Sequence, residues 1–331
     1  MDWTKLPKVE LHLHLDCSLS YEVVSKIDPS VTLEQYREEF IAPPKCVDLA
    51  DFLARAPSSY PLMQTEENLH LVTMDLFEQL RDDGLLYAEI RFAPLLHTEQ
   101  GLTARKAVTI VEAATADAVR NTGVEARIIL CTLRFFTTEQ SLETVHLVEE
   151  FRDTYVAGFD IAADRPGNVI DDHIPAFKYA RENDIPFTAH VGETRGVENF
   201  WDTVKHFAPT RVGHGVCSIE DPKLVKHIIQ HQIHLEACPT SNIQTNCYDT
   251  YADHPIDQLY QAGVSIGVNT DARTISNITL SQEYEKLHQT FGWETNDFLT
   301  CNQNALKASF ISETVQNNLL ERLAEGYQYT A

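Results

Sequence analysis

The stretch Val9–Asp16, VELHLHLD, is a short apolar run rich in strand-forming residues that carries histidines at positions 12 and 14. Side chains two apart on a strand share a face, so His12 and His14 point the same way. Seven further runs of this kind follow: Leu85–Ala93, Ala126–Leu133, Val156–Ala162, Pro186–Gly192, Arg211–Val216, Ile233–Pro239 and Val264–Asp271. Segments with helical apolar spacing separate them, as in Ala104–Asn121 and Asp221–Gln230. Strand–helix alternation implies βαβ units and a parallel sheet. Eight such units predict an α/β fold of the closed (β/α)8 TIM-barrel type.

The connection after the first run is the longest. Residues 17–84 hold PSVTLEQYREEF, LADFLARAP and a helical stretch through Asp83. An insertion after the first strand emerges at the C-terminal face of a barrel, where it is expected to form a lid. No repeat or low-complexity linker divides residues 1–331, so one domain is expected.

Composition narrows the partners. The chain carries 26 Lys and Arg against 49 Asp and Glu, for a formal net charge of −23. Nucleic acid binding needs a basic footprint, and an anionic membrane surface attracts basic segments, so neither partner is expected. The seven cysteines are scattered and contain no CxxC pair, which reads as free thiols in a reducing compartment. The first residues, MDWTKLPKVELHLHLD, have no apolar signal core, and no run of 18 apolar residues follows. Cytoplasm is the default expectation.

Taken alone, two histidines on one strand face read as a structural pair or as a metal pair. Other strand ends favour the metal. His190 and Glu193 lie in TAHVGE at the end of the fifth run, His214 in VGHGV at the end of the sixth, and Asp271 in VNTD at the end of the eighth. Barrel active sites are built at this face. A carboxylate buried in VSIGVNTD costs several kcal/mol unless it is paired or bound to a metal. Three histidines and an aspartate can hold one Zn²⁺ and leave a position for water, whose pKa falls towards about 7. The same donors accept iron or cobalt. A carboxylate outside the ligand set can then move protons. These parts suit hydrolytic attack on an electrophilic carbon.

In order along the chain, LPKVELHLHLD (6–16), LADFLARA (49–56), EIRFAP (89–94), RIILCTLR (127–134), GFDIAAD (158–164), TAHVGE (188–193), RVGHGV (211–216), LEACPTSN (235–242) and VNTDA (268–272) resemble the adenosine deaminase family of metal-dependent hydrolases. The resemblance implies hydrolytic removal of the 6-amino group of adenosine or 2′-deoxyadenosine by zinc-bound hydroxide. It implies His12, His14, His190 and Asp271 as zinc ligands, with Asp271 also catalytic. It implies Glu193 as the acid that protonates purine N1 and His214 as the base that orients the hydroxide. Asp16 matches the carboxylate for the ribose 5′-hydroxyl, which favours a nucleoside over free adenine. Leu49, Phe52 and Leu53 match apolar lid residues, and Glu236 a supporting carboxylate near the catalytic histidine. Ala163 stands where glycine is usual, and its N–H can still reach purine N3 if its φ is negative.

The chain departs from the family at Ala272, where an aspartate usually bonds N7, and at Cys17, where glycine is usual. Both raise an alternative substrate: adenine, or an adenosine modified at N6 or at the 5′ position, including futalosine-type nucleosides. Arg273 either projects into the pocket or is consumed in a salt bridge. AMP is disfavoured, because no basic cluster near Asp16 would receive its phosphate.

Overall fold

The computed structural model describes residues 2–164 and 170–328. Eight parallel strands follow the expected order: β1 (Lys8–His14), β2 (Leu85–Phe92), β3 (Glu125–Leu133), β4 (Val156–Ala162), β5 (His190–Val191), β6 (Arg211–His214), β7 (His234–Ala237) and β8 (Ile266–Val268). They form two four-stranded sheets, β1-β2-β3-β4 and β5-β6-β7-β8. Single parallel bridges, Phe159 with Phe187 and Leu13 with Asp271, join the sheets at both seams and close the barrel.

The strands of the second sheet are shorter than their apolar runs. Gly192, His214, Gly215 and Asp271 all have φ between 60° and 75°, which takes the backbone out of the β region at the strand ends. The expected strand edges there overran for this reason.

Among the described residues, ten helices surround or cap the strands beyond the insertion, and their ends follow ordinary capping chemistry. Thr103, for example, accepts a hydrogen bond from the Lys106 N–H to start the helix Ala104–Thr122, and Gly123, at φ 76°, ends it. None of the described helices is long and apolar enough to cross a membrane.

The barrel interior is charged rather than aliphatic. Arg91 on β2 bonds Asp160 on β4 at 2.6 Å and Glu236 on β7 at 2.8 Å, all three fully buried. Arg211 on β6 pairs with the same Glu236 at 2.8 Å and with Glu89 on β2. Two guanidiniums against three carboxylates leave one negative charge directly beneath the mouth. That surplus favours a cation above it.

The insertion folds as four helices, α1 (Tyr21–Ile27), α2 (Leu33–Glu39), α3 (Leu49–Leu53) and α4 (Glu66–Asp82). Two backbone hydrogen bonds pin its middle over the mouth: Ala42 N–H to Ile275 O and Cys46 N–H to Gln244 O, each 2.8 Å. Leu49 and Phe52 of α3 are buried there with Cys17, Ala272 and Ile275. The insertion is thus the expected lid.

Candidate active site

The histidines and carboxylates picked out in the sequence converge at the C-terminal mouth. His12 Nε2 lies 3.3 Å from Asp271 Oδ1, His14 Nε2 lies 3.5 Å from the same oxygen, and His14 Nε2 lies 3.1 Å from His190 Nε2. Ligand atoms of His12, His190, His214 and Asp271 fall within 4.8 Å of one another. Strand alternation on β1 places His12 and His14 together, and the bridge between Leu13 and Asp271 draws the end of β8 against them.

The donor set fits a metal. Glu236 Oε2 takes His12 Nδ1 at 2.9 Å, which turns Nε2 inward, and that buried nitrogen has no hydrogen-bond partner. Asp160 Oδ2 lies 3.0 Å from His190 Nδ1. Carboxylates behind imidazoles fix ring orientation and raise ligand basicity. Ser241 Oγ donates to Asp271 Oδ2 at 2.6 Å and leaves Oδ1 facing the histidines. Burial raises the Asp271 pKa, but the adjacent His12 imidazole outweighs it and holds the carboxyl well below its usual range. Burial drives His14 and His214 well below the ordinary histidine value, so both rings are neutral and have a lone pair to offer.

Glu193 and His214 stand beside this cage, with Glu193 Oε2 and His214 Nε2 3.2 Å apart. Burial, helped by the nearby Asp271 charge, pushes the Glu193 carboxyl up to about 7 against the pull of His190 and Arg134. A carboxyl poised there can both give and accept a proton near neutrality.

A small cavity of ≈ 40 Å³ lies over the cluster beneath the lid. His14, His190, Glu193 and Asp271 form its polar side, and the lid residues Leu49, Phe52 and Leu53 close it with Cys17, Ala272 and Ile275. Ala163 lies at its edge. Asp16 stands one step back, its Oδ1 4.0 Å from His14 Nδ1, with burial pushing its carboxyl up to about 6.

Two sequence expectations change, at Ala163 and Glu236, and of the two readings of Arg273 the salt bridge holds. Ala163 has φ 66°, not a negative value, so it keeps the left-handed backbone of a glycine despite its methyl. Such strain costs about 1–3 kcal/mol and persists where the surrounding structure imposes it. Glu236 supports His12 rather than the catalytic histidine, and His214 Nδ1 instead meets Asn242 Nδ2 at 3.2 Å. Arg273 does not read the pocket: it is buried and paired with Asp83 at 2.9 Å and Glu10 at 3.6 Å.

Sequence reasoning missed Asp160, Asn242 and Ser241 as supports of the cage. It also missed Arg134, whose Nη2 donates to His190 O at 2.6 Å. The available signal was charge inside apolar strands, as in EIRFAP and GFDIAAD.

A parallel barrel with this cluster at its mouth defines a class, the barrel hydrolases. The adenosine deaminase family model matches residues 7–326, and the chain belongs to that family, whose members are hydrolases of C–N bonds in cyclic amidines. It is 34% identical over 325 residues to an adenosine deaminase of Clostridium acetobutylicum, covering 96% of this chain and 97% of that one. It is 34% identical over 337 residues to an adenosine deaminase of Enterococcus faecalis, covering 98% of each. The crystal structure of an adenine deaminase from Arthrobacter aurescens superposes with a TM-score of 0.89 at 25% identity, covering 97% of this chain and 98% of that one.

Proposed function

We propose that this chain hydrolyses adenosine and 2′-deoxyadenosine to inosine and 2′-deoxyinosine plus ammonia, using one zinc ion. The observation that carries the reading is the convergence of His12, His14, His190 and Asp271 on one point beside Glu193. The relatives named adenosine deaminase, matched over nearly their whole lengths, support adenosine as the substrate.

Zinc held by these four residues supplies a water of lowered pKa and a Lewis acid next to C6. The chain's own groups do the rest. Glu193, poised near 7, delivers a proton to purine N1 as C6 is attacked and so lets the ring accept the electron pair. His214, at its Nε2, orients the attacking water. Asp271, held ionised, accepts a proton from that water at the oxygen Ser241 does not occupy. Asp16 receives the ribose 5′-hydroxyl. Leu49, Phe52 and Leu53 exclude bulk water above the base.

Residues 1–331 act as one cytoplasmic unit in purine salvage, with a purine nucleoside as partner. A second reading replaces adenosine by adenine or a modified adenosine, and Cys17 and Ala272 in the cavity wall favour it. The test is loss of the adenosine absorbance with metal-quantified protein, run beside a panel of 6-substituted purines and compared by kcat/KM. Turnover of no 6-aminopurine nucleoside ends the proposal.

A further inference from the structure

We infer that the cavity reads only one edge of its purine and accepts purine nucleosides with no hydrogen-bond acceptor at ring position 7. The inference deepens the proposed deamination and rests on it. In a purine, C6 is flanked by N1 on one side and C5 on the other, and C5 carries N7. With C6 at the cage and N1 at Glu193, N7 projects away from Glu193. Glu193 follows β5, and the far side of the mouth is the junction of β8 with β1. Cys17, Ala272 and Ile275 stand there, closed over by Leu49 and Phe52.

The backbone groups around that wall are already committed. Ala272 N–H donates to Thr270 O at 2.9 Å, and Ala272 O accepts from Ser276 N–H at 2.8 Å. Thr274 N–H donates to Cys17 O at 3.1 Å, and its hydroxyl donates to Leu19 O at 2.6 Å. The Arg273 guanidinium turns back to Asp83. Ser276 lines a separate groove beside Gln244 and Lys286. The Cys17 thiol is only a weak donor. N7 entering here loses its water and gains no strong donor, whereas a C–H in its place loses nothing.

The products isolate binding from chemistry, so the probes are inosine and 7-deazainosine, titrated calorimetrically into the zinc-loaded full chain. A hydrogen bond to N7 would separate them by about fivefold or more. The native chain is expected to bind 7-deazainosine at least as tightly as inosine, because no bond to N7 is lost. Ala272→Asn places an amide N–H on the wall and is expected to favour inosine by at least that factor. A native preference for inosine of about fivefold or more overturns the inference, by the same measure. An Ala272→Asn chain that still does not separate the pair overturns the assignment of this wall to the N7 edge. If adenosine is nevertheless turned over, the deaminase reading survives either result. If adenosine is not turned over and neither product binds, both fall together.

Discussion

The two halves of the barrel are built differently. β1 to β4 have 7, 8, 9 and 7 residues, while β5 to β8 have 2, 4, 4 and 3. The first half has the longer strands, with register shifts in the β1–β2 and β3–β4 ladders, and supplies His12 and His14 to the cage and Arg91 and Asp160 to the buried network. The second half gives up ladder hydrogen bonds at its strand ends and supplies His190, Glu193, His214 and Asp271. His214 and Asp271 sit at φ 60° and 67°, conformations a uniform strand would not reach. Long strands make a stiff frame; short strands ending in left-handed residues aim side chains at one point.

The largest effect expected belongs to the second half. Glu193→Gln should lower kcat by about 10²–10⁴-fold. Metal analysis should still find zinc in the variant, because Glu193 is not a ligand. Equal activity would remove its proton-transfer role. The first half should answer in stability instead. Arg91→Met removes the guanidinium shared by buried Asp160 and Glu236, and urea unfolding should show a loss of about 3–5 kcal/mol. Glu236→Gln crosses the two halves, since it frees His12 on β1 from β7. Chelator competition should show zinc affinity falling about 10–100-fold.

Acid sharpens the contrast less. Burial lowers His97, just after β2, to about 4. The unfolded chain, with an ordinary value near 6.5, therefore takes up this proton first. The stabilising contribution is complete above that pH and is lost as pH falls towards 4. His97→Phe should reduce the acid slope of stability by about 1.4 kcal/mol per pH unit within that window. The smallest effect is at the seam between the halves. Ala163→Gly should relieve the strain of φ 66° and raise stability by about 1 kcal/mol, read as a small increase in Tm.

Strand order and the cluster of histidines and carboxylates were legible because each is written locally. An HxH on one strand, and His, Glu or Asp at the ends of three others, need no knowledge of what packs where. The charged interior was not legible. Arg91 meets Glu236 across 145 positions of sequence, and no local pattern records that encounter. The partner of Glu236 was misread for the same reason. The turn at Ala163 was hidden because a methyl-bearing residue gives no sign of a backbone that normally selects glycine. Arg273 left both readings open until Glu10 and Asp83 appeared on either side of it.

The two backbone bonds that tie Ala42 to Ile275 and Cys46 to Gln244 make the roof of the cavity a latched door. A nucleoside filling the space beneath α3 has to pass that latch on entry, and its product has to pass it again on departure. Selection and escape therefore share one piece of chain. Changes at Leu49 or Phe52 that broaden what is admitted will also alter how quickly the chamber empties.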